Sequence, residues 1–371
     1  MHLPALPVLL PFFAAVLILF PWFNKRLMWQ RVVTQLAFVM LVGISCLILF
    51  KTLTGAPLAY ALGDWEAPFG IYLLADPLAA FMLVVTSVLA LCTHLYACGS
   101  DDKTGRFFHP LFLFQLMGLN GAFLTADAFN LFVFFEILLI ASYSLLIHGG
   151  GRERTRAAQH YVLYNLIGSA FFLIALALLY RAFGTLSIPH MALLAPQLAE
   201  ESIPLAQSGG LLLMVVFGVK AALLPLHFWL PRTYSTTSIS VAALFAVMTK
   251  VGVYSLWRIH TVVYGHESGE LSDLGVEPLA WLSGLTVVAG SIGALASQTL
   301  RWLIANLIII SVGTLLMTVA MGTTESVAAG MYYTLHSTLM SGAFFLIAGL
   351  LLMQRGQAED RFVRSRPLVY P

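Results

Sequence analysis

Long apolar runs joined by short polar connections constrain this chain more than any other feature. They fall at about 4–24, 32–50, 72–98, 109–126, 129–148, 158–180, 208–230, 239–258, 278–298, 301–321 and 327–353. Each is close to the roughly 20 apolar residues that carry a helix across a hydrocarbon core of about 30 Å. In lipid every backbone polar group must be satisfied internally, and continuous runs of this length specify helices. The fold class is therefore an all-α polytopic membrane protein with about eleven transmembrane helices. Of 371 residues only 10% are charged, against about 25% in soluble domains. No stretch is left for a soluble domain, although Met191–Ala199, in the longest connection, can form a short surface helix.

Two lysines interrupt these runs. Lys220 follows Leu211-Leu-Leu-Met-Val-Val-Phe-Gly-Val219, and Lys250 lies in Val247-Met-Thr-Lys250-Val-Gly-Val-Tyr-Ser255. From Ser208, Lys220 lies about 18 Å along a helix that rises about 1.5 Å per residue. That is mid-membrane, where an ammonium costs several kcal/mol and marks function. Pro225 sharpens the reading. A proline inside a helix removes a donor and clashes with the carbonyl four residues back, here that of Ala221. The helix is expected to break beside its lysine, with His227 just past the break. Broken helices at mid-membrane are a mark of ion transporters.

One carboxylate lies at comparable depth. Glu136 is seven residues into Phe129-Asn-Leu-Phe-Val-Phe-Phe-Glu136. An isolated glutamate in lipid protonates, so it either stays neutral or pairs with a buried cation. Lys220 is the expected partner, which leaves Lys250 to act further along a path. A lysine whose carboxylate can approach and withdraw is a proton gate. His227 and His336 are candidates to extend the path, because histidine titrates near neutral pH. Each is weighed against a satisfied core histidine. Tyr143, Thr249, Tyr254 and Ser255 are candidates to order water.

Basic residues mark alternate connections. Lys25, Arg26 and Arg31, then Lys103 and Arg106, then Arg152, Arg154 and Arg156, then Arg232, Arg301 and the Arg355–Arg366 tail fall on one side. Lys51, Arg181 and Arg258 fall on the other, with Asp64, Glu66, Glu200, Glu201, Glu267 and Glu270. The positive-inside rule then puts the N-terminus outside and the tail in the cytoplasm. Met1–Phe20 lacks a basic leader and a cleavage site, and reads as a retained first helix.

Other function classes find no support. There is no P-loop, no GxGxxG and no GxSxG, which leaves ATP-driven transport and hydrolase chemistry without a basis. Cys46, Cys92 and Cys98 form no metal-binding spacing and are expected to pack. His94, His109, His148 and His160 cluster toward one side of the membrane rather than pairing at matched depth as haem would require. No cofactor, metal or nucleic acid is expected.

Glu136, Lys220 before Pro225, and Lys250 together resemble the antiporter-like subunits. These are the large proton-pumping membrane subunits of respiratory complex I and membrane-bound hydrogenases, and the A-type and D-type subunits of Mrp multisubunit cation/proton antiporters. Gly63-Asp-Trp-Glu-Ala-Pro-Phe-Gly-Ile71, Asn120-Gly-Ala-Phe-Leu-Thr125, Phe129-Asn-Leu-Phe-Val-Phe-Phe-Glu136 and Thr249-Lys-Val-Gly-Val-Tyr254 look like the Mrp D type in particular. The resemblance covers nearly the whole chain. It implies N-terminal helices over 1–108, a first antiporter-like repeat over 109–260, an inverted and partial second repeat over 278–354, and a tail over 355–371. It implies Glu136 and Lys220 as the gating pair, Lys250 as a relay, and His336 as a central histidine.

The family's second broken helix would follow Pro371, so the second repeat is expected to be incomplete, by truncation or because another polypeptide supplies it. In Arg301-Trp-Leu-Ile-Ala-Asn306-Leu-Ile-Ile-Ile-Ser311, isoleucines replace a more polar family stretch and are expected to dry the central path. The implied function is exchange of protons for sodium or potassium in a bacterial plasma membrane, alongside other membrane subunits. The alternatives are a proton-pumping subunit of a redox complex and a non-transporting scaffold.

Overall fold

A computed structural model describes residues 2–65 and 70–354. The tail over 355–371, Glu66, and part of the Gly63–Ile71 stretch lie outside the described residues. The chain opens with α1 (Leu6–Leu19), α2 (Pro21–Asn24) and α3 (Leu27–Thr54). A two-stranded antiparallel hairpin follows, β1 (Leu58–Ala61) with β2 (Tyr72–Ala75), in register Leu58 to Ala75. The all-α expectation did not include it. Its second strand takes the first residues of the third apolar run, so α4 starts later, at Pro77, and ends at Ala97.

Helices α5 (Phe108–Leu124) and α6 (Ala128–Ile147) form a hairpin with a three-residue turn. Asp127 fixes that turn, because its carboxylate caps α6 by accepting from the amide of Asn130 at 2.7 Å. A side-chain oxygen at this position satisfies one of the orphan amides of a helix start. Then come α7 (Arg152–Phe183), α8 (Ile188–Leu194), α9 (Ile203–Ala221) and α10 (Trp229–Thr236). The short helix of the long connection thus begins three residues before the predicted one. The chain continues through α11 (Ile239–Phe245), α12 (Met248–Val262), α13 (Val276–Leu295), α14 (Leu300–Met321) and α15 (Thr324–Gln354).

Among the described residues, nine helical stretches are long and apolar enough to cross a membrane, and Leu3–Leu19 and Phe108–Leu124 are shorter apolar helices. Every predicted run therefore carries helix. The connections sort onto two faces, one basic and one acidic. On the acidic face the loops are stitched by backbone bonds. Ala126 donates to Tyr72 at 2.9 Å, and Ile188 donates to Ala126 at 2.8 Å. The α11–α12 stretch is the centre of the bundle, 94% buried, whereas the α13 stretch is 22% buried and peripheral.

Cys46 and Cys92 are exposed, so they do not pack as predicted. Their helices turn these positions toward the surface that lipid would cover. Arg258, the last residue of the eighth predicted run, lies within α12.

Candidate functional site

Helix α9 ends at Ala221, one residue past Lys220. Ala222 adopts the left-handed conformation at φ 64°, and the chain stays non-helical until Trp229. Helix geometry leaves the last carbonyls of α9 without amide partners. Local bonds restore them. Leu223 donates to the Gly218 carbonyl at 2.8 Å, and the Trp229 indole donates to the Val219 carbonyl at 3.1 Å. The amide of Leu224, freed by the same break, donates to Thr286 Oγ1 at 3.0 Å. The interruption is thus supported from within the protein, as non-helical backbone at membrane depth must be.

Lys250 lies beside a second interruption that no proline marks. The eighth apolar run is two helices, since α11 stops at Phe245 and α12 starts at Met248. Ala246 and Val247 tighten into three-residue turns, and the Phe245 carbonyl accepts from the Tyr234 hydroxyl at 2.7 Å. Trp229 and Tyr234 both belong to α10, so this one short helix closes both interruptions.

The lysine-bearing elements pack backbone to backbone. A Cβ at Gly252 would stand 2.6 Å from the Ala221 amide nitrogen and 3.0 Å from its Cα. Only glycine allows that approach, which sets the residue after Lys220 against the residue two after Lys250. Both lysines are buried, at 4% and 1% exposure.

Their partners are serines. Lys220 Nζ donates to Ser169 Oγ and to the Asn165 carbonyl, each at 3.3 Å. Ser169 in turn donates to Glu136 Oε1. Among the described residues no ion pair joins Glu136 to Lys220 directly. The expected pair is a triad with Ser169 in the middle, because α7 packs against both α6 and α9. The Phe135 ring lies 5.7 Å from Lys220 Nζ and offers its negative face. Lys250 Nζ donates to Ser311 Oγ on α14. The stretch expected to be dry therefore supplies the lysine's own acceptor.

The remaining candidates lie apart. His227 sits in the break with its ring against Phe228, and its buried Nδ1 has no partner among the described residues. His336 is exposed on α15 and contacts the Tyr333 ring. No hydrogen bond joins either histidine to a lysine among the described residues. Tyr254 donates to the Phe123 carbonyl at 2.5 Å and accepts from Arg258 at 2.7 Å. Arg258 makes a two-pronged pair with Asp76, at 2.5 and 2.8 Å, across 182 residues of sequence. Lys250, Tyr254 and Arg258 are four residues apart, so they line one face of α12 from the core to the acidic end.

Ser169 was missed by reasoning from sequence, yet a signal existed. Tyr161, Asn165, Ser169 and Phe172 recur at helical spacing and are all buried in α7. Two polar residues on the inward stripe of an apolar helix mark a polar path rather than a solvated face.

Comparisons with known proteins bear on the fold and the family of the chain. A family profile described as NADH:quinone oxidoreductase/Mrp antiporter, TM, matches residues 125–369. The chain is 43% identical over 366 residues to a probable K(+)/H(+) antiporter subunit of the D type from Rhizobium meliloti (strain 1021), covering 97% of this chain and 67% of the relative. It is 36% identical over 365 residues to a Na(+)/H(+) antiporter subunit of the D type from Bacillus subtilis (strain 168), covering 95% and 71%. A chain in the solved Mrp complex from Dietzia sp. DQ12-45-1b superposes with a TM-score of 0.87 at 26% identity, over 96% of this chain and 65% of that one. A chain of Thermus thermophilus respiratory complex I gives 0.80 at 25% identity, over 97% and 73%. The chain thus spans about two thirds of the length of the proteins it matches.

Proposed function

The chain belongs to the NADH:quinone oxidoreductase/Mrp antiporter transmembrane family, and on that footing we propose that it is the D-type subunit of a multisubunit monovalent cation/proton antiporter. It works with other membrane subunits in a bacterial plasma membrane, and its basic face is cytoplasmic. The likeness to antiporter subunits named for Na(+) and K(+) supports this class, and either ion fits it.

The observation that carries the reading is the placement of Ser169 between Glu136 and Lys220. A hydroxyl accepts one hydrogen bond and donates another, so it passes a proton without changing its own protonation. Lys220 gives a proton to Ser169 Oγ, and Ser169 gives its own to Glu136. The lysine becomes neutral, the carboxylate becomes a carboxylic acid, and the serine is restored. Reversing the hydroxyl resets the triad. The net charge of the triad is zero before and after this step, so neither end is left as a stranded ion. Interrupted backbone beside Lys220 and Lys250 lets each ammonium move without unwinding an intact helix. Lys250, with Ser311 as acceptor, takes protons onward.

Inverted vesicles holding the full complex, energised to be acid inside and monitored with a pH-sensitive dye, test the proposal. Addition of sodium or potassium should raise the internal pH in wild type. Vesicles in which neither ion dissipates the gradient would overturn the antiport reading.

A further inference from the structure

A second chain of buried titratable groups lies away from the lysines, among α3, α4 and α5. On the basic face a cavity of about 440 Å³ is lined by Asn24, Lys25, Gln30, Asp102, Lys103 and Arg106. Asp102 forms part of its wall, yet its side chain is 0% exposed. It holds Arg31 with two bonds, at 2.6 and 2.9 Å. His109 Nε2 stands 3.4 Å from Asp102 Oδ2. His109 Nδ1 is 3.0 Å from His94 Nε2, and His94 Nδ1 is 2.9 Å from Gln35 Oε1. The groups facing this chain are Arg31 from α3, Cys98 at the end of α4, Asp101 beside Asp102, and His148 at the end of α6. The transport triad uses none of them.

Hydrogen positions along the chain follow from the orientation of the Gln35 amide at its inner end. The Gln35 carbonyl oxygen only accepts, so His94 Nδ1 carries the hydrogen and, in a neutral ring, Nε2 carries the lone pair. His109 Nδ1 must then donate, which leaves a lone pair on His109 Nε2. That lone pair faces the Asp102 carboxylate, acceptor against acceptor, and His109 Nε2 has no hydrogen-bond partner among the described residues. One added proton at this point completes the chain as an imidazolium–carboxylate pair. Turning the Gln35 amide over reverses every donor, and the chain then closes without that proton. The cluster therefore has two fully bonded states that differ by one proton.

The same connection reaches α11, the short helix that precedes the lysine-bearing α12. Asp101 accepts from the Ser240 amide at 3.0 Å and from the Ser240 hydroxyl at 2.6 Å, at the start of α11. Phe245 ends that helix, and Lys250 follows the interruption. Two neighbouring aspartates thus bind the histidine chain and the lysine element to one short segment.

We propose that Asp102, His109 and His94 form a proton-binding site, filled from the basic-face cavity, whose occupancy sets how Asp101 holds the start of α11. The site reports the pH of the basic-face compartment to the helix that carries Lys250. Only this regulatory half rests on the antiport reading. The proton site itself does not.

Infrared difference spectra of the full chain in its complex, between mildly alkaline buffer and buffer acidified to about pH 4, test the site. Wild type should gain an imidazolium ring band. His109→Gln should lose the share of that band that this site contributes among the ten histidines, and His94→Gln, kept as a second variant should the first not assemble, should lose or displace that share. An unchanged band in the variants that assemble, or no band in wild type, overturns the site. Dye-monitored exchange against basic-face pH tests the coupling. The wild-type profile should show an inflection that His109→Gln flattens. Asp101→Ala should flatten it too while keeping the infrared band, because the site is intact and the link is cut. Variant profiles that superpose on wild type overturn the coupling. Wild-type vesicles with no ion-driven exchange would instead sink the antiport reading, and the coupling with it, while the infrared band still decides the site.

Discussion

Ser169 donates its hydroxyl proton to the Glu136 carboxylate, and the same oxygen accepts from Lys220 at 3.3 Å. Removing the hydroxyl therefore separates a carboxylate and an ammonium that have no direct contact. Ser169→Ala should cut ion-driven proton exchange by roughly tenfold or more, in line with the loss of a positioned proton-transfer group. Membrane level should hold, since one small side chain is lost without a large cavity. Ser169→Thr keeps the hydroxyl and should recover part of the rate. Dye-monitored exchange with levels checked by blot measures this. Full exchange in Ser169→Ala would remove Ser169 from the path.

The ends of the triad make a separate prediction. Glu136→Gln removes the proton acceptor, and Lys220→Ala removes the donor, so both should abolish exchange. Expression should fall only modestly, because the surviving group can become neutral rather than remain a buried charge. Glu136→Asp keeps the charge but withdraws it by one methylene from Ser169, and should be intermediate. Lys250→Ala should also block exchange, as a separate relay lesion. Normal exchange in Glu136→Gln at normal levels would leave Glu136 with a packing role.

Much of this was legible in the chain. Apolar runs fix the helices, and Lys220, Glu136 and Lys250 stand out because charge is so rare in such runs. Pro225 marks the first interruption through its missing amide. The second interruption, at Ala246–Val247, carries neither proline nor glycine. It depends on Tyr234, which takes the Phe245 carbonyl from another helix. Ser169 was hidden for a similar reason: its role exists only once α7 packs against both α6 and α9. The Asp76–Arg258 pair joins residues 182 apart, and no local pattern predicts such a partner. Of the hairpin, Tyr72–Ala75 was absorbed into the third apolar run and Leu58–Ala61 was left in the connection before it, because a four-residue apolar strand and a helix end look alike without periodicity.

Topology is testable by cysteine labelling. The basic connections should be cytoplasmic, and Glu201 and Glu270 outside. Arg154 is a poor probe, since its guanidinium is held by the His148 and Thr236 carbonyls at 2.6 and 3.1 Å. Lys103, exposed on the same face, serves instead. In a background with Cys46, Cys92 and Cys98 replaced, an impermeant reagent should label positions 201 and 270 from intact cells and spare position 103. The opposite pattern would invert the orientation.

Gly252 should tolerate no larger side chain. A Cβ there would meet the Ala221 backbone rather than a side chain that can swing away. Gly252→Ala should force α12 away from the end of α9 and destabilise the bundle by about 1–3 kcal/mol, as overpacking does elsewhere. The spacing between the lysines would change with it, so exchange should fall more than membrane level. Thermal aggregation of detergent-solubilised complex, read beside exchange, separates the two effects. A stable, fully active Gly252→Ala would mean that the helices do not pack this closely.

Asp76 and Arg258 fasten the acidic ends of α4 and α12 to each other, directly above the Lys250 face. Burial would by itself raise the Asp76 pKa. The Arg258 hydrogen bonds and charge, helped by the Ala79 amide, more than reverse that and hold it below the usual carboxylate range. A depressed folded-state pKa contributes stability that is complete above the unfolded value of about 3.9 and is lost as pH falls through the folded value. The tie should therefore be constant across neutral pH. Asp76→Asn should lower the aggregation midpoint of the solubilised complex, by an amount near the low end of the roughly 3–5 kcal/mol that breaking a buried pair costs. The low end applies because the side chains keep 21% and 13% exposure. The gap between variant and wild type should stay level from about pH 8 to about pH 5, and close only in stronger acid, where Asp76 protonates in wild type as well. A gap that changed between about pH 6 and pH 8 would assign the effect to a different titrating group. An Asp76→Asn variant as stable as wild type would show that the bond does not fasten these helices.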